Sequence, residues 1–192
     1  VPEPAGMLQG AALASALTLS VAGVAMAMLG TARLYAPSLQ GRRALMLPAG
    51  ALVYIAIPPA RDFATSGLEG GLVLAWLGLL WWMMVCWSQA LRRRPAGPWF
   101  LGGLAFVAGL SVLVRPELAL VGGLALVMMM IAARGWRHRL LIVVAGGLLP
   151  VVYQIFRMGY YGLLVPQTAL AKDATGDKWA QGLIYLANFN RP

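Results

Sequence analysis

Acidic residues are scarce in this chain: six Asp and Glu stand against fifteen Lys and Arg, for a formal charge of +9. Lysine is scarcer still, at two residues against thirteen arginines, a usage that with abundant Ala and Gly suits a GC-rich genome. The one cysteine, Cys86, lies inside an apolar run, which excludes a disulfide or thiolate metal framework. The one histidine, His138, sits between Arg137 and Arg139 with no second His or nearby acid, so a metal ion finds no ligand set there. A Gly-Lys-Ser/Thr phosphate loop is missing, which removes the signature of an ATP-driven pump. Charged residues make up 11% of the chain and hydrophobic ones 60%. A basic nucleic-acid binder would carry its charge on a soluble fold of ordinary apolar content, so a nucleic-acid partner is not expected.

What is present is apolar sequence in six runs, residues 7–29, 44–57, 70–90, 99–114, 118–133 and 140–156. The gaps between them alternate in charge. All six acids, Glu3, Asp62, Glu69, Glu117, Asp173 and Asp177, fall before the first run and after the second, fourth and sixth. The other gaps hold Arg33, Arg42 and Arg43, then Arg92, Arg93 and Arg94, then Arg134, Arg137, His138 and Arg139. One side thus carries nine Arg and no acid, and the other six basic and six acidic groups. Lys and Arg are retained on the cytoplasmic side during membrane insertion. The sorting therefore predicts an all-α integral membrane protein of about six transmembrane helices, with both termini external and the net charge facing anionic lipid.

The runs are short. Crossing a bilayer core of about 30 Å takes roughly 20 residues at 1.5 Å each. Residues 7–29 and 70–90 suffice, while 99–114, 118–133 and 140–156 need flanking residues that snorkel. Residues 44–57 hold Pro48 and end in Pro58-Pro59; a full span, a kinked piece and a re-entrant piece are all open, and charge alternation favours the span. Pro116 lacks an N–H and holds Arg115 extended, so 99–114 and 118–133 are expected to form a hairpin. The predicted division is a transmembrane helical domain over 1–156 and an external loop with an interfacial helix over 157–192. The chain opens Val1-Pro2 without a Met or a signal peptide, and is expected to be part of a longer membrane protein.

Paired glycines at 102–103, 122–123 and 146–147, and the Gly6/Gly10 spacing, are expected to let helices approach closely. Met128–Met130 and Trp81-Trp82 are expected to face lipid or neighbouring helices, with a lipid-tail groove as the alternative.

Three external segments carry chemistry. The first contains Arg61, Asp62 and Glu69. Glu69 would lie in the first turn of the following helix, where its carboxylate either suits the helix dipole or serves a reaction. The second is Arg115-Pro116-Glu117 at the hairpin turn, which is either helix-start chemistry or a charged pair held at the membrane boundary, where unneeded ionisable groups are costly. The third runs from Arg157 through Tyr160, Tyr161, Gly162, Pro166, Gln167 and Thr168 to Lys172 and Asp173. An aromatic belt explains the tyrosines but not their glycine and Pro-Gln-Thr framing. Beyond it, Asp177 could cap a short amphipathic helix with Trp179, Leu183 and Leu186 on one face. Paired acids and bases beside lipid suit an enzyme acting on a lipid-linked phosphate. Arg and Lys would hold the phosphate and a carboxylate would take the acceptor's proton. The rival reading is a transporter or flippase, which would show internal repeats and ionisable groups at mid-membrane; neither is found.

Ser66-Gly67-Leu68-Glu69, Arg115-Pro116-Glu117, Tyr160-Tyr161-Gly162, Pro166-Gln167-Thr168 and Ala171-Lys172, in that order, resemble the GT-C class of polytopic glycosyltransferases. The segment around Tyr160 to Asp173 is most similar to the actinobacterial terminal β-(1→2)-arabinofuranosyltransferases, and the resemblance covers roughly residue 60 to the end. It implies transfer of arabinofuranose from a polyprenyl-phosphate donor to a cell-wall polysaccharide on the external face of the cell membrane. Glu69, Glu117 and Asp62 would be the catalytic candidates within this stretch, with the main catalytic carboxylate expected upstream of Val1. Arg61, Arg115, Arg157, Tyr160, Tyr161, Gln167, Thr168 and Lys172 would bind substrate. No metal or cofactor is expected beyond the donor itself. Members of the family carry an Asp-Asp pair in the first external loop, which nothing in residues 1–4 matches, so this stretch alone is expected to be inactive. Gln167 stands where relatives often have Asn, and Leu118 where many have Gly, which leaves a mannosyl or another pentosyl transferase open.

Overall fold

The computed structural model describes residues 4–35, 43–58, 70–93, 97–162 and 179–189, which are helical apart from short turns and hold no strand. The chain divides into two compact units, residues 1–151 and 152–192. The first contains α1 (Pro4–Leu34), α2 (Arg43–Ala56), α3 (Gly70–Arg93), α4 (Pro98–Gly109), the one-turn α5 (Ser111–Val114), a 3-10 turn (Pro116–Leu118) and α6 (Ala119–Ala132). Helix α7 (Trp136–Tyr161) begins in the first unit and ends in the second, which also holds α8 (Trp179–Phe189).

The all-α membrane class is as expected, and among the described residues fewer than six helices reach full spanning length. Three helical segments among the described residues are long and apolar enough to cross a membrane: Gly10–Leu34, Gly70–Leu91 and Trp136–Tyr160. Run 140–156 reaches this length because the helix extends through Trp136–Arg139 at one end and Arg157–Tyr161 at the other. The 14 residues of α2, unbroken through Pro48, rise about 21 Å. Pro98–Val114 and Pro116–Ala132 also fall short, because Pro116 ends one and starts the other. In the most apolar stretch of each of these three segments only 17%, 33% and 11% is buried. Val21, Ile131 and Ile155 are among the exposed side chains, and apolar surface on this scale is stable only against lipid or other apolar surface.

Helices α1 and α3 pack backbone to backbone. A Cβ on Gly23 would run into the Leu74 carbonyl, one on Gly78 into the Gly23 carbonyl, and one on Gly71 into the Ala16 carbonyl. Ala16, Gly23 and Gly30 recur every seventh residue on α1, as Gly71 and Gly78 do on α3. Seven residues are close to two helical turns, so each set lines one side of its helix. At the far end Arg33 of α1 meets Cys86 of α3, its guanidinium donating to Sγ at 2.9 Å. The same group lies 5.4 Å over the Trp82 ring, and the Gln89 amide donates to the Arg33 carbonyl at 2.8 Å. Residue numbers rise together along both helices, so α1 and α3 run parallel. The chain between them, α2 included, has to return over the distance from Ala16 to Arg33, about 25 Å by helical rise.

The remaining directions alternate. On α4, Val107 lies near Trp76 and Gly103 near Met83, so α3 and α4 are antiparallel. Gly102 lies against Leu141, and Gly109 against Gly146, so α4 and α7 are parallel. Trp76, Leu80, Leu104, Ala108, Met129 and Ile142 belong to the core where these helices meet. The central methionine of the Met128–Met130 run is fully buried there, while Met128 is exposed.

Polar groups inside the apolar helices are satisfied locally. Ser15, Thr18, Ser20 and Thr31 each donate to a carbonyl three or four residues back, which spares the bilayer an unpaired hydroxyl. Helix α4 breaks at Leu110, and Val107 in its last turn accepts the Trp76 indole N–H at 2.7 Å. Pro150 cannot donate to Gly146, whose carbonyl instead faces the Gly109 backbone. Only a residue without a Cβ fits at 109, where Cα–H groups can contact that oxygen.

Of the expected glycine contacts, one member of each of two pairs makes a close approach. Gly122 lies against the Ala108 carbonyl and Ser111 Oγ, and Gly146 lies near the Ala105 carbonyl, while Gly123 and Gly147 face open space. Gly102 and Gly103 make ordinary side-chain contacts and Gly10 none; the surroundings of Gly6 lie outside the described residues.

Candidate functional site

Arg115 and Glu117 form the turn between α5 and α6. Arg115 is extended, at φ −157 and ψ 138, as the proline rule requires. Its N–H donates to the Ser111 carbonyl at 3.0 Å and its carbonyl accepts from Leu118 at 3.0 Å. Pro116 takes the first position of the 3-10 turn and Glu117 follows it, with no side-chain cap. Both charged residues are exposed, between an exposed Val112 and an 81% exposed Leu120. A carboxylate and a guanidinium therefore stand one residue apart, on a rigid turn bordered by apolar surface.

Arg157, Tyr160 and Tyr161 lie on the last turns of α7. Arg157 is half-buried, and Tyr160 is exposed with its ring stacked on Phe156, centroids 5.6 Å apart and planes 16° from parallel. Residues three apart are neighbours on a helix surface, so Arg157 and Tyr160 present a cation beside an aromatic face. Gly162 ends the helix at φ +64, its N–H donating to the Met158 carbonyl at 3.0 Å. This is the left-handed cap that glycine provides, and it explains half of the glycine framing around the tyrosines.

Sequence reasoning passed over Gln154. Its amide is the one carboxamide in run 140–156 and sits three residues before Arg157, on the same half-buried stripe. A lone Gln in an apolar run was the available signal. Asp62, Arg61, Glu69, Gln167, Thr168 and Lys172 lie outside the described residues. Among the described residues no group of three metal-ligating side chains occurs.

Helices α1, α2 and α3 also flank an open groove of about 680 Å³ whose lining includes Gly23, Met28, Thr31, Tyr54, Gly78 and Trp81. Its lining is mostly apolar; Thr31, Tyr54 and Trp81 bring polar groups, and the Trp81 N–H donates to Thr31 Oγ1 at 3.1 Å. Trp81 thus faces a groove, and Trp82 underlies Arg33.

No family model matches the chain, and no solved structure does. A terminal beta-(1->2)-arabinofuranosyltransferase of Mycobacterium tuberculosis is 77% identical over 185 residues, 96% of this chain and 30% of that protein. A terminal beta-(1->2)-arabinofuranosyltransferase of Corynebacterium glutamicum is 44% identical over 198 residues, 96% of this chain and 28% of that protein. The chain thus spans less than a third of the length of these curated relatives. Over almost its whole length, the chain is a homologue of one section of the terminal beta-(1->2)-arabinofuranosyltransferases.

Proposed function

We propose that this chain is part of a multi-pass membrane glycosyltransferase that moves arabinofuranose from a polyprenyl-phosphate donor to a cell-wall polysaccharide on the external face. The observation that carries the reading is 77% identity to a protein named as a terminal beta-(1->2)-arabinofuranosyltransferase, sustained over 96% of the chain. The helix directions support the external face. With α1 and α3 parallel and α4 antiparallel to α3, the Arg115–Glu117 turn falls on the side opposite the Arg33, Arg134, Arg137 and Arg139 groups.

On that face the division of labour follows from charge. Arg157, with Arg115 as second candidate, holds the donor phosphate through the bidentate fork of its guanidinium, and Lys172 adds a point charge. Tyr160 or Tyr161 packs on the sugar or the first isoprene unit. Glu117, Glu69 or Asp62 accepts the proton of the attacking hydroxyl as the glycosidic bond forms. Arg61, Gln167 and Thr168 complete the polar lining. Residues 157–192 provide the external segment, with α8 at the interface.

The test is transfer by the purified full-length protein that contains this chain, supplied with lipid-phosphate arabinofuranose and an arabinan acceptor. Arg157→Lys retains the charge and removes the fork, so it should raise the KM for the donor by about tenfold and leave the KM for the acceptor unchanged. An unchanged donor KM in both Arg157→Lys and Lys172→Ala would make the two residues interfacial anchors. Absence of transfer by the unaltered protein would remove the reading itself.

A further inference from the structure

The turn between α6 and α7 concentrates positive charge on a fixed frame. Arg134, Arg137 and Arg139 are all exposed within six residues, with His138 among them, and no described acid pairs with any of them. Ala133 ends α6 in extended geometry, its N–H donating to the Met129 carbonyl at 2.9 Å. Gly135 then turns at φ +94, a conformation other residues rarely take. The His138 ring reaches back to the Arg134 carbonyl, Nδ1 at 3.1 Å. Trp136 is 69% exposed, and the Arg137 guanidinium lies 5.9 Å over its ring. The contrast is Arg33, whose guanidinium is engaged by Trp82 and Cys86 within the helix packing.

We propose that residues 133–139 bind the headgroup phosphate of an anionic phospholipid. Three guanidiniums on a short, pinned turn can meet a phosphate with paired N–H donors. An exposed indole beside them is the side chain that settles at headgroup level. Next to the turn, Ile131 at the end of α6 and Leu140 at the start of α7 are exposed apolar side chains against which acyl chains can lie. A soluble anionic partner would have no use for that apolar flank, whereas the cytoplasmic leaflet supplies anionic lipid at this level. Only the choice of leaflet rests on the orientation proposed above.

Native mass spectrometry of the detergent-purified protein, with phosphatidylglycerol or phosphatidylcholine added, reads this directly. The unaltered protein should hold phosphatidylglycerol at least about tenfold more tightly than phosphatidylcholine. Combined Arg134→Lys, Arg137→Lys and Arg139→Lys preserve the charge but lose the forks, and should weaken phosphatidylglycerol about fivefold or more. The same change at Arg92, Arg93 and Arg94 should leave binding unaltered. Equal losses at both clusters, or none at the turn, would reduce the turn to diffuse charge and overturn the proposal. So would full displacement of the lipid by inorganic phosphate at equal concentration. Because the readout is lipid binding in detergent, it stands or falls separately from glycosyl transfer and from orientation.

Discussion

Gly122→Ala should destabilise the protein while Gly123→Ala, one residue along the same helix, should leave it unchanged or slightly more stable. The methyl group at 122 would meet the Ala108 carbonyl and Ser111, a backbone group and a short side chain with little room to give, whereas 123 opens onto free space. Forcing extra volume into a packed contact costs about 1–3 kcal/mol, occasionally more. Replacing an unhindered helical Gly by Ala gains about 0.5–1 kcal/mol. The two variants should therefore differ by about 1.5–4 kcal/mol in unfolding free energy, read as a shift between their thermal midpoints in the same detergent. Gly78→Ala should behave like Gly122→Ala, because its methyl would meet the Gly23 carbonyl and part α1 from α3. Similar midpoints for the 122 and 123 variants would mean that the helices do not meet as described.

The second large effect is catalytic. Glu117→Gln and Glu69→Gln keep shape and hydrogen-bonding capacity but cannot accept a proton. If either carboxylate is the base, transfer should fall by about 10²-fold or more, equivalent to about 2.7 kcal/mol of barrier. Glu117 is the better defined of the two: exposed on the Arg115–Leu118 turn, beside apolar surface and uncapped. A merely structural Glu117 predicts a different outcome, since Gln serves equally at that turn. Loss below about threefold with normal membrane expression would return both residues to helix-start duty.

What could be read from sequence was what depends on neighbours in the chain. Pro116 dictated the extended Arg115 and hence the hairpin turn, and that local rule holds in the fold. Apolar composition placed every described helix of the first unit to within a few residues, and the charges at the run ends anticipated the alternation of helix direction. Properties set by a partner helix were not legible. Nothing local distinguishes Gly122 from Gly123; which one meets Ala108 depends on the rotation of α6 against α4. The glycines that close α1 on α3 recur at seven residues, a spacing visible in the sequence but hidden beneath adjacent pairs and the four-residue pattern. The break at Leu110 goes with a long-range hydrogen bond from Trp76 to Val107. Which of the apolar runs reach full spanning length was not legible either, because it depends on where each helix ends; among the described residues three do so. Arg115, Glu117, Arg157 and Tyr160 can now be placed on a turn and a helix end; they had been identified from residue type and order alone.

The placement of alternate gaps between the apolar runs on opposite sides of a membrane underlies every assignment of the external site. It can be measured with single cysteines and a membrane-impermeant thiol reagent on intact cells, in a background where Cys86 is replaced by Ser. Cysteine at Ala64 or Thr175, beside the acidic gaps, should label, and cysteine at Ala36 or Ala96, beside the arginine gaps, should label only after the cells are opened. The reverse pattern, or labelling of Ala36 and Ala64 from the same side, would contradict the alternation and remove Glu117, Arg157 and Tyr160 from the external face.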